Sequence, residues 1–421
     1  MIRASALYMA IVMSLVIGLI CSSLLLLAYF YKSQYLRKAR MDRLQHNLVS
    51  GINILETTTD TVYRQGKTFS LFEGENDSVR LKAIPWGIFD VNVAESFKQR
   101  DTLYKVFTNA YVIDSLKWAA IYLPDQDRPL SLSGKTAING DVFIPVAGIR
   151  TAYVDNKAYE GDKRLIVGKT RNSGRTLPPL NENRLRSLQK MQEYQINGKI
   201  PEVKRDINYQ SFRLDTRFLK INNDAAILHD VSLKGNIIVY ADTLLTIDST
   251  ANLEDVIVIA KSILVKSGFR GKCQLFATDS IGIEKHCVFT YPSAIGVLRF
   301  KTPVVSVTQS ISIGEGTVLN GCVFSYEKEA AGSPGIITLN KNLRINGQVY
   351  AQHILQTRDG LKVRGSIFAG SFMYQNDFTR YENYLINLEV SESGLSRYYL
   401  TSGLLPVAAK KRKVLQWLEV K

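Results

Sequence analysis

The hydrophobic positions of this chain follow two patterns: one long apolar run at the start, and short apolar runs that recur through the second half. From Ala4 to Tyr31 the sequence has no charged residue and is rich in Leu, Ile, Val and Met. A bilayer core requires roughly 20 such residues in a helix. A cleaved signal peptide would end a shorter apolar region at small residues, but here Leu24 to Phe30 continue the run beyond Ser22-Ser23. The pattern predicts an uncleaved transmembrane anchor over residues 1–31.

A helical pattern continues after the anchor. Leu44, Leu48, Ile52 and Leu55 are spaced four, four and three residues apart, which places them on one face of a helix that extends to about Thr57. Basic residues lie between the two apolar segments. We expect them to contact lipid headgroups, where each cation contributes about 1 kcal/mol next to anionic lipid. This membrane-interface set is Lys32, Arg37, Lys38, Arg40 and Arg43.

Four features of the first 55 or so residues match one known family. They are Arg3, the small residues Ala4 to Ala6, the uninterrupted apolar helix, and its amphipathic continuation. Together they resemble the N-terminus of type IV pilin-like proteins, especially the atypical PilX-like minor pilins. The chain departs from that family in lacking the Gly-Phe processing site and the Glu five residues into the mature helix. The resemblance implies a helix that packs into a filament or pilot complex, with the globular part outside the inner membrane.

The charges that flank the anchor bear on its orientation. Only Arg3 and the terminal amine precede it, whereas the five basic residues of the interface set follow it. By the positive-inside rule this count favours a cytoplasmic C-terminal side. A very short N-terminal tail with an Arg is also typical of a signal anchor whose N-terminus is inside. The flanking charges leave both orientations open; with the resemblance, we expect a single-pass inner-membrane protein whose C-terminal domain is periplasmic.

Between Thr61 and Pro129 the pattern changes to short runs with turn residues between them. Trp86 to Val93, Leu103 to Val112 and Trp118 to Leu123 predict three strands. A long helix followed by an antiparallel meander would form a small α+β region over residues 32–129. This arrangement is compatible with a pilin-like head.

A phrase of small and polar residues followed by Ile, Leu or Phe recurs between Gly235 and Tyr374. Its copies begin at Ala241, Ala260, Thr278, Thr308, Ala351 and Ala369, so that successive starts differ by 19, 18, 30, 43 and 18 residues. A period in this range is typical of stacked supersecondary units. An earlier version lies at Ile138 to Phe143. The sequence therefore predicts a repeat region over 130–375, with a polar, partly helical insertion near 172–230 and a C-terminal cap over 376–421.

Each unit predicts one coil of a parallel β-helix with about 18 residues per coil. A coil would consist of a glycine turn, an apolar run, a small polar corner and another apolar run, stacked on its neighbours at roughly 4.8 Å. The second corner position runs Asp242, Lys261, Asp279, Gln309, Gln352 and Gly370, which predicts opposite charges on neighbouring coils. The repeat-turn glycines are Gly140, Gly235, Gly271, Gly321, Gly347 and Gly365. The predicted fold class is thus mainly β, with an N-terminal transmembrane helix, a small α+β region and an interrupted β-solenoid.

The net charge and the cysteine and histidine residues bear on which classes of function are expected. The net charge of +15 is large, but its Lys and Arg are scattered and no RNA- or DNA-binding signature is present, so no nucleic-acid partner is expected. The four cysteines, Cys21, Cys273, Cys287 and Cys322, have neither metal-ligand spacing nor an obvious disulfide pattern. His286 and Cys287 would point to opposite faces of a strand, so they cannot be a base and its nucleophile. We expect no cofactor, no metal and no enzymatic activity.

The repeated glycine-and-strand phrase, over about 140 residues, also resembles the polymer-forming β-helix of bactofilins. Two functions follow from the two resemblances. The first is a membrane-anchored scaffold of the bacterial cell envelope, a minor pilin-like or secretion-system component, whose partners are the bilayer and other envelope proteins or itself. The alternative is a membrane-tethered, bactofilin-like cytoskeletal scaffold. A carbohydrate-binding or carbohydrate-active β-helix is a third hypothesis.

Overall fold

The computed structural model describes residues 2–58, 61–72, 77–193, 207–221, 226–301, 307–329, 332–376 and 379–420. Its contacts divide the chain into two compact units. The first comprises Met1–Ile84, Asn92–Phe107 and Trp417–Lys421, and the second comprises Pro85–Val91 and Thr108–Gln416. The chain is mainly β, with one long apolar helix at the N-terminus and a solenoid-like stack of parallel strands.

One continuous helix, α1 (Ile2–Thr57), begins the first unit. The apolar side chains of its N-terminal half are exposed, whereas those near its C-terminal end are buried. The buried residues are Leu44, Leu48, Ile52 and Leu55, the face that the spacing predicted. Gly51 brings the helix close to the second strand of the unit, because a Cβ there would lie 2.8 Å from Cδ2 of Leu81. The second half of α1 therefore packs on a sheet.

Short strands make up most of the remaining chain. They are β1 Lys67–Phe69, β2 Ser78–Trp86, β3 Phe89–Lys98, β4 Asp101–Ile113, β5 Ile121–Tyr122, β6 Leu130–Ser133, β7 Ala137–Asn139, β8 Val142–Ile144, β9 Ile149–Thr151, β10 Thr170–Asn172, β11 Ile207–Gln210, β12 Arg217–Lys220, β13 Ala226–Leu228, β14 Ser232–Gly235, β15 Ile237–Ile247, β16 Asn252–Val265, β17 Arg270–Ile283, β18 Val288–Arg299, β19 Ser310–Ile313, β20 Val318–Glu327, β21 Ile336–Leu339, β22 Arg344–Thr357, β23 Leu361–Gln375, β24 Arg380–Glu382, β25 Tyr384–Ile386, β26 Leu388–Ser391 and β27 Ala408–Val420. A short 3-10 helix (Thr61–Gln65) follows α1, and a second α-helix, α2 (Glu182–Gln192), precedes β11.

Five strands form one sheet in the order β1-β2-β3-β4-β27. The predicted strand at Leu103–Val112 lies inside β4, but the one at Trp86–Val93 is interrupted, because Gly87 adopts a positive φ of 60° and turns the chain between β2 and β3. The edge strand β27 comes from the predicted C-terminal cap, residues 376–421. Its exposed Lys410, Lys411 and Lys413 are the kind of charges that keep an open sheet edge from pairing with other chains.

The second unit is the solenoid, and its strands pair in parallel with the equivalent strand one coil later. Ser262 lies opposite Ser280 and Ala351 lies opposite Ala369, so copies of the repeated phrase do stack in register. Alternate side chains point inward and form one continuous core. One inward column runs through Val239, Val258, Leu275, Ile295, Val323, Val349, Ile367, Ile121 and Val142.

The stacking order differs from the order of the sequence. In the sequence, the predicted repeat region begins at residue 130, with the version of the phrase near Ile138. In the structure β26 pairs with β7, and β23 pairs with β5, so residues 121–172 continue the stack beyond β23 and β26. The strands β11 to β13 lie at the opposite end, next to β14 and β15.

This order explains the insertion that follows β10. The chain must return from the last coil to the first, and residues 172–193, here called the return segment, run along the outer face of the stack. Three tyrosine hydroxyls of that face donate hydrogen bonds to its carbonyl oxygens: Tyr122 to Thr176, Tyr350 to Pro178, and Tyr240 to Met191.

The lengths agree with this path. Seven coil steps separate Tyr240 from Tyr122, by the pairings Tyr240–Ile259–Phe276–Gly296–Phe324–Tyr350–Phe368–Tyr122. At about 4.8 Å per step the return must cover roughly 34 Å. A few extended residues followed by the three turns of α2 reach about 35 Å.

A buried ion pair fixes the helix of the return segment. Asn181 caps α2 by accepting from the backbone N–H of Arg184, and Leu185 and Leu188 are buried beneath the helix. The Arg184 guanidinium, with a side chain only 10% exposed, lies 2.6 Å from Oδ2 of Asp90 and also donates to Oδ1 of that carboxylate and to the Phe89 carbonyl. Arg184 is thus both paired and hydrogen-bonded, which is the condition for a buried charge to be tolerated.

We expect Arg184→Ala to lower the free energy of unfolding by about 3 kcal/mol, because it leaves the Asp90 carboxylate buried without its partner. Arg186 provides the matched control on the same helix, since its pair with Glu182 is exposed at 69% and 80%. Arg186→Ala should cost less than about 0.5 kcal/mol. Denaturant unfolding of the detergent-solubilised protein measures both; equal losses would contradict the structural role of Arg184.

Candidate functional site

The N-terminal half of α1 is a continuous exposed apolar surface. Leu7, Leu15, Leu19 and Leu25 are 66%, 60%, 61% and 72% exposed. An 18-residue window of the helix has a mean hydropathy of 2.7 and none of it is buried, so by length and composition the helix can cross a membrane. The remainder of the helix is held by the first unit, which places the apolar half beyond its packed part.

The basic interface set does not act as one group. Lys32, Arg37, Lys38 and Arg43 are exposed on α1. Arg40 is half-buried: its guanidinium lies 3.5 Å from Oδ2 of Asp101 and donates to Oε1 of Gln99 at 3.5 Å. Arg40 thereby joins the helix to the turn between β3 and β4, a role that only the fold could assign.

Three of the predicted glycines stack directly on one another. Gly321, Gly347 and Gly365 are register partners with φ of 148°, 149° and 140°. A Cβ on Gly347 would overlap the carbonyl oxygen of Gly321, and one on Gly365 would overlap that of Gly347. Here the strands bend within their length, and a side chain would point straight into the neighbouring coil. They are bend positions inside β20, β22 and β23, whereas the sequence suggested turns before strands.

The other predicted glycines have different surroundings. Gly140 also has a φ of 140° and faces Glu392, which follows the register partner of Asn139. Gly235 has a φ of 89° at the end of β14, opposite Gln210. Gly271 has no positive φ and lies outside this column; it makes room for the Phe269 ring, 2.6 Å from a Cβ built there.

The repeated corner phrase brings together a buried cluster of charged and amide side chains. Arg299 and Glu327 are register partners whose side chains are 5% and 2% exposed, with Nη1 and Oε1 2.9 Å apart. Asp279 Oδ1 lies 3.6 Å from Arg299 Nη2, and His353 Nε2 lies 3.6 Å from Glu327 Oε2. We call these four residues the corner cluster.

Two glutamines connect the coils of the corner cluster. Gln309 donates to the carbonyl oxygens of Thr278 and Tyr326, at 3.5 and 3.2 Å. Gln352 donates to the carbonyl of Glu327 and accepts from its N–H, at 2.9 and 2.7 Å. Lys261 lies 3.9 Å from Asp279, so opposite charges do stack on adjacent coils at this corner. Asp279, Gln309, Gln352 and His353 belong to copies of the phrase.

Sequence reasoning did not find Arg299 and Glu327. Both lie at the end of an apolar strand, outside the copies of the phrase, and the two large interruptions of the repeat leave the stack directly after them. Two opposite charges that end successive buried strands were the available signal. Because Arg299 contacts both carboxylates, this cluster stabilises the corner where the loops depart.

The cysteine and histidine side chains outside this cluster are not arranged for catalysis. Burial raises the pKa of the Cys273 and Cys322 thiols to about 12, so neither is a thiolate near neutral pH. His286 adopts a positive φ of 56° at a turn, whereas Cys287 is buried with its Sγ 3.3 Å from the Lys266 carbonyl. Within the described residues, no group of three or more His, Cys, Asp or Glu side chains is placed to hold a metal ion.

Comparisons with known proteins constrain the chain only weakly. No protein-family model matches it, and no curated protein does. Among solved structures, the crystal structure of the competence-associated pilin ComZ from Thermus thermophilus aligns over 91% of this chain and 96% of its own, with 11% identity and a TM-score of 0.25. At that TM-score the alignment carries no argument about fold or function.

The glycine column predicts that Gly347→Ala is much more costly than an alanine at another positive-φ glycine. Gly148, with a φ of 76° and no atom within 4 Å of a built Cβ, is the control. Gly148→Ala should cost about 1 kcal/mol for its backbone conformation alone. Gly347→Ala adds the overlap with the Gly321 carbonyl of the preceding coil, for a total of about 3 kcal/mol or more. Unfolding midpoints in denaturant measure the difference, and similar shifts for both variants would refute the close approach.

Glu327→Gln should destabilise the protein by about 3 kcal/mol, because Arg299 would be left as a buried charge without its main partner. Glu315→Gln is the control: that carboxylate is 39% exposed and 3.8 Å from Lys285. Its loss should change stability by less than about 0.5 kcal/mol.

A double variant, Arg299→Met with Glu327→Met, should recover most of the loss, since apolar side chains of similar size can replace a buried pair. If the double variant is no more stable than Glu327→Gln, burial of charge is not what makes the single change costly. Denaturant unfolding of the four proteins makes the comparison.

Proposed function

We propose that this protein is a non-enzymatic, membrane-anchored scaffold of the bacterial cell envelope, a pilin-like or secretion-system component whose solenoid lies in the periplasm. The observation that carries the proposal is the continuity of α1. One 56-residue helix is exposed and apolar at its start and buried through Leu44, Leu48, Ile52 and Leu55 at its end. A membrane anchor and a folded domain are therefore joined without a flexible linker.

Packing in the first unit supports a rigid connection. Gly51 allows α1 to approach β2 closely, with Cγ1 of Val79 3.1 Å from a Cβ built at that glycine. Arg40 joins the helix to the turn before β4 through Asp101 and Gln99. A helix fixed to its domain at several points can transmit force or orientation from the membrane, which an assembly component needs and a freely tethered enzyme does not.

The solenoid supports a structural role through the way its charges are used. Carboxylates on neighbouring coils are paired with cations, as in Lys234–Glu254 at 2.8 Å and Lys266–Glu284 at 2.8 Å. The hydrogen bond from the Lys266 ammonium lowers the pKa of Glu284, so this carboxylate is ionised near neutral pH. Such pairs stabilise the stack of coils. Hydrolysis of a glycosidic bond requires two carboxylates that are free to act on the sugar. At these positions the carboxylates are instead paired with lysines.

The alternative function, a bactofilin-like cytoskeletal polymer, would require coils that stack end to end between molecules. The last coil argues against growth at that end of the stack. Residues 155–164 of this coil carry six charged side chains. In the same coil Ile166 is buried next to Ile138, at the end of the core. Charged coils at an open end are a recognised means of preventing edge-to-edge association.

Cysteine labelling in spheroplasts can test the orientation on which the envelope function depends. The chain is its own control, because Cys273, Cys287 and Cys322 are buried and Cys21 lies in the apolar helix. Tyr398, 75% exposed, is a suitable position for a new cysteine. We expect a membrane-impermeant maleimide to label Tyr398→Cys in intact spheroplasts and to leave the parent protein unlabelled. Labelling only after the inner membrane is permeabilised would place the solenoid in the cytoplasm, which would overturn the envelope function and favour the cytoskeletal one.

A further inference from the structure

Turns of successive coils line a cleft of about 780 Å³ at one edge of the solenoid. The turns are joined by backbone hydrogen bonds in the order of the stack. Asn342 donates to Asp359, Gly360 donates to Asn387, Asn387 donates to Ser133, and Gly134 donates to Ala158. The cleft therefore follows the stacking direction across several coils and belongs entirely to the second unit.

The backbone of these turns makes the surface concave. Asn342, Gly360, Asn387 and Gly134 occupy equivalent positions on successive coils and have positive φ of 54°, 75°, 51° and 59°. Asparagine and glycine alternate, and each asparagine side chain lies over the glycine of the next coil: a Cβ on Gly360 would be 2.7 Å from Oδ1 of Asn342. The glycines leave room in the floor, while the flanking lysines and carboxylates form the walls.

Four lysines and three carboxylates line the cleft. Two of the lysines are paired, Lys157 with Asp359 at 2.6 Å and Lys362 with Glu389 at 2.8 Å. Lys135 and Lys341 are exposed, and no ion pair within 4.0 Å is found for either among the residues that the structure describes. Three coil steps separate their turns, or about 14 Å. The cleft thus presents two free cations three coils apart, with the Lys362–Glu389 pair on the coils between them.

From this arrangement we propose that the cleft binds a linear anionic glycan, with Lys341 and Lys135 contacting carboxylates of the chain. This proposal rests on the scaffold function and adds the chemical class of one partner. Binding of the glycan does not depend on the side of the membrane on which the solenoid lies. Sugar hydroxyls both donate and accept hydrogen bonds, so they suit the mixture of amide, ammonium and carboxylate groups between the two free lysines.

The lining argues against two other polyanions. Nucleic acids are held by a strongly basic groove and by aromatic side chains on which bases stack, whereas this lining has no aromatic residue and interleaves three carboxylates with its lysines. Those carboxylates repel a closely spaced row of phosphates more than they repel a sparsely charged glycan. An anionic bilayer surface attracts clusters of basic side chains, whereas this lining interleaves its four lysines with three carboxylates.

Binding of a fluorescently labelled oligogalacturonate to the full chain in nanodiscs of neutral lipid tests the proposal. The test variant is Lys135→Ala with Lys341→Ala. The control, Lys410→Ala with Lys411→Ala, removes the same charge from exposed positions on β27. We expect the test variant to bind about tenfold more weakly and the control to stay within about twofold of the parent. Glu160→Gln, which removes a carboxylate from the lining, should tighten binding, and uncharged dextran should not bind.

Several outcomes would overturn the proposal. Equal losses in the test and control variants would mean that the net charge, and not the cleft, attracts the glycan. Displacement of the oligogalacturonate at lower concentration by single-stranded DNA would assign the site to nucleic acid, and preferential binding of anionic lipid vesicles that depends on Lys135 and Lys341 would assign it to the membrane surface. Unchanged thermal unfolding of the test variant confirms that it is folded, and membrane extraction of the same samples reports on the anchor independently of the cleft.

Discussion

Stability of the solenoid depends on hydrogen bonds between each coil and the coils on either side of it. A coil cannot satisfy its own backbone groups, because its strands run parallel and their N–H and C=O groups point along the stack. In this protein that requirement extends across sequence order: Ile367 of β23 finds its neighbour in Ile121, more than two hundred residues earlier in the chain. The chain thus completes the stack with its own N-terminal coils. Once those coils lie at the far end, the return segment and its helix become necessary.

Side chains at the coil bends and corners are under equally strong constraints. Where the strands bend, only glycine fits, since a carbonyl oxygen of the preceding coil occupies the space of a Cβ, as at Gly347. Where loops leave the stack, polar atoms must be buried, and Arg299, Glu327 and the two glutamines provide their partners. At the turns that face solvent there is no such demand. Those turns carry the unpaired lysines and the cleft, so the surface available for recognition is the part of the coil that stability leaves free.

Several elements could be predicted from local sequence. The anchor, the buried face of its helical continuation and the stacking of the repeated phrase depend on periodicity, which is a property of neighbouring residues. The hairpin turn at Gly87 was missed because a continuous run of strand-forming residues surrounds it. Gly271 resembled the other glycines by its neighbours in the sequence, but in the fold it has no positive φ, and the atom nearest to a Cβ built there belongs to the Phe269 ring. Arg40 looked like one more headgroup contact, and its partner Asp101 is distant in sequence.

By itself, the sequence determined that this chain has a membrane-compatible helix, that the helix continues with a buried face, and that about 18 residues form one coil of a mainly β stack. These are consequences of hydrophobic spacing, which local chain geometry converts directly into structure. Only the tertiary structure decided which coils are neighbours, which glycines approach a backbone, and that Arg299 meets Glu327 while Lys135 and Lys341 line the same cleft. Those features depend on the path by which the chain returns to its own end. Many paths satisfy the same local pattern, and the complete set of inter-coil hydrogen bonds selects one of them.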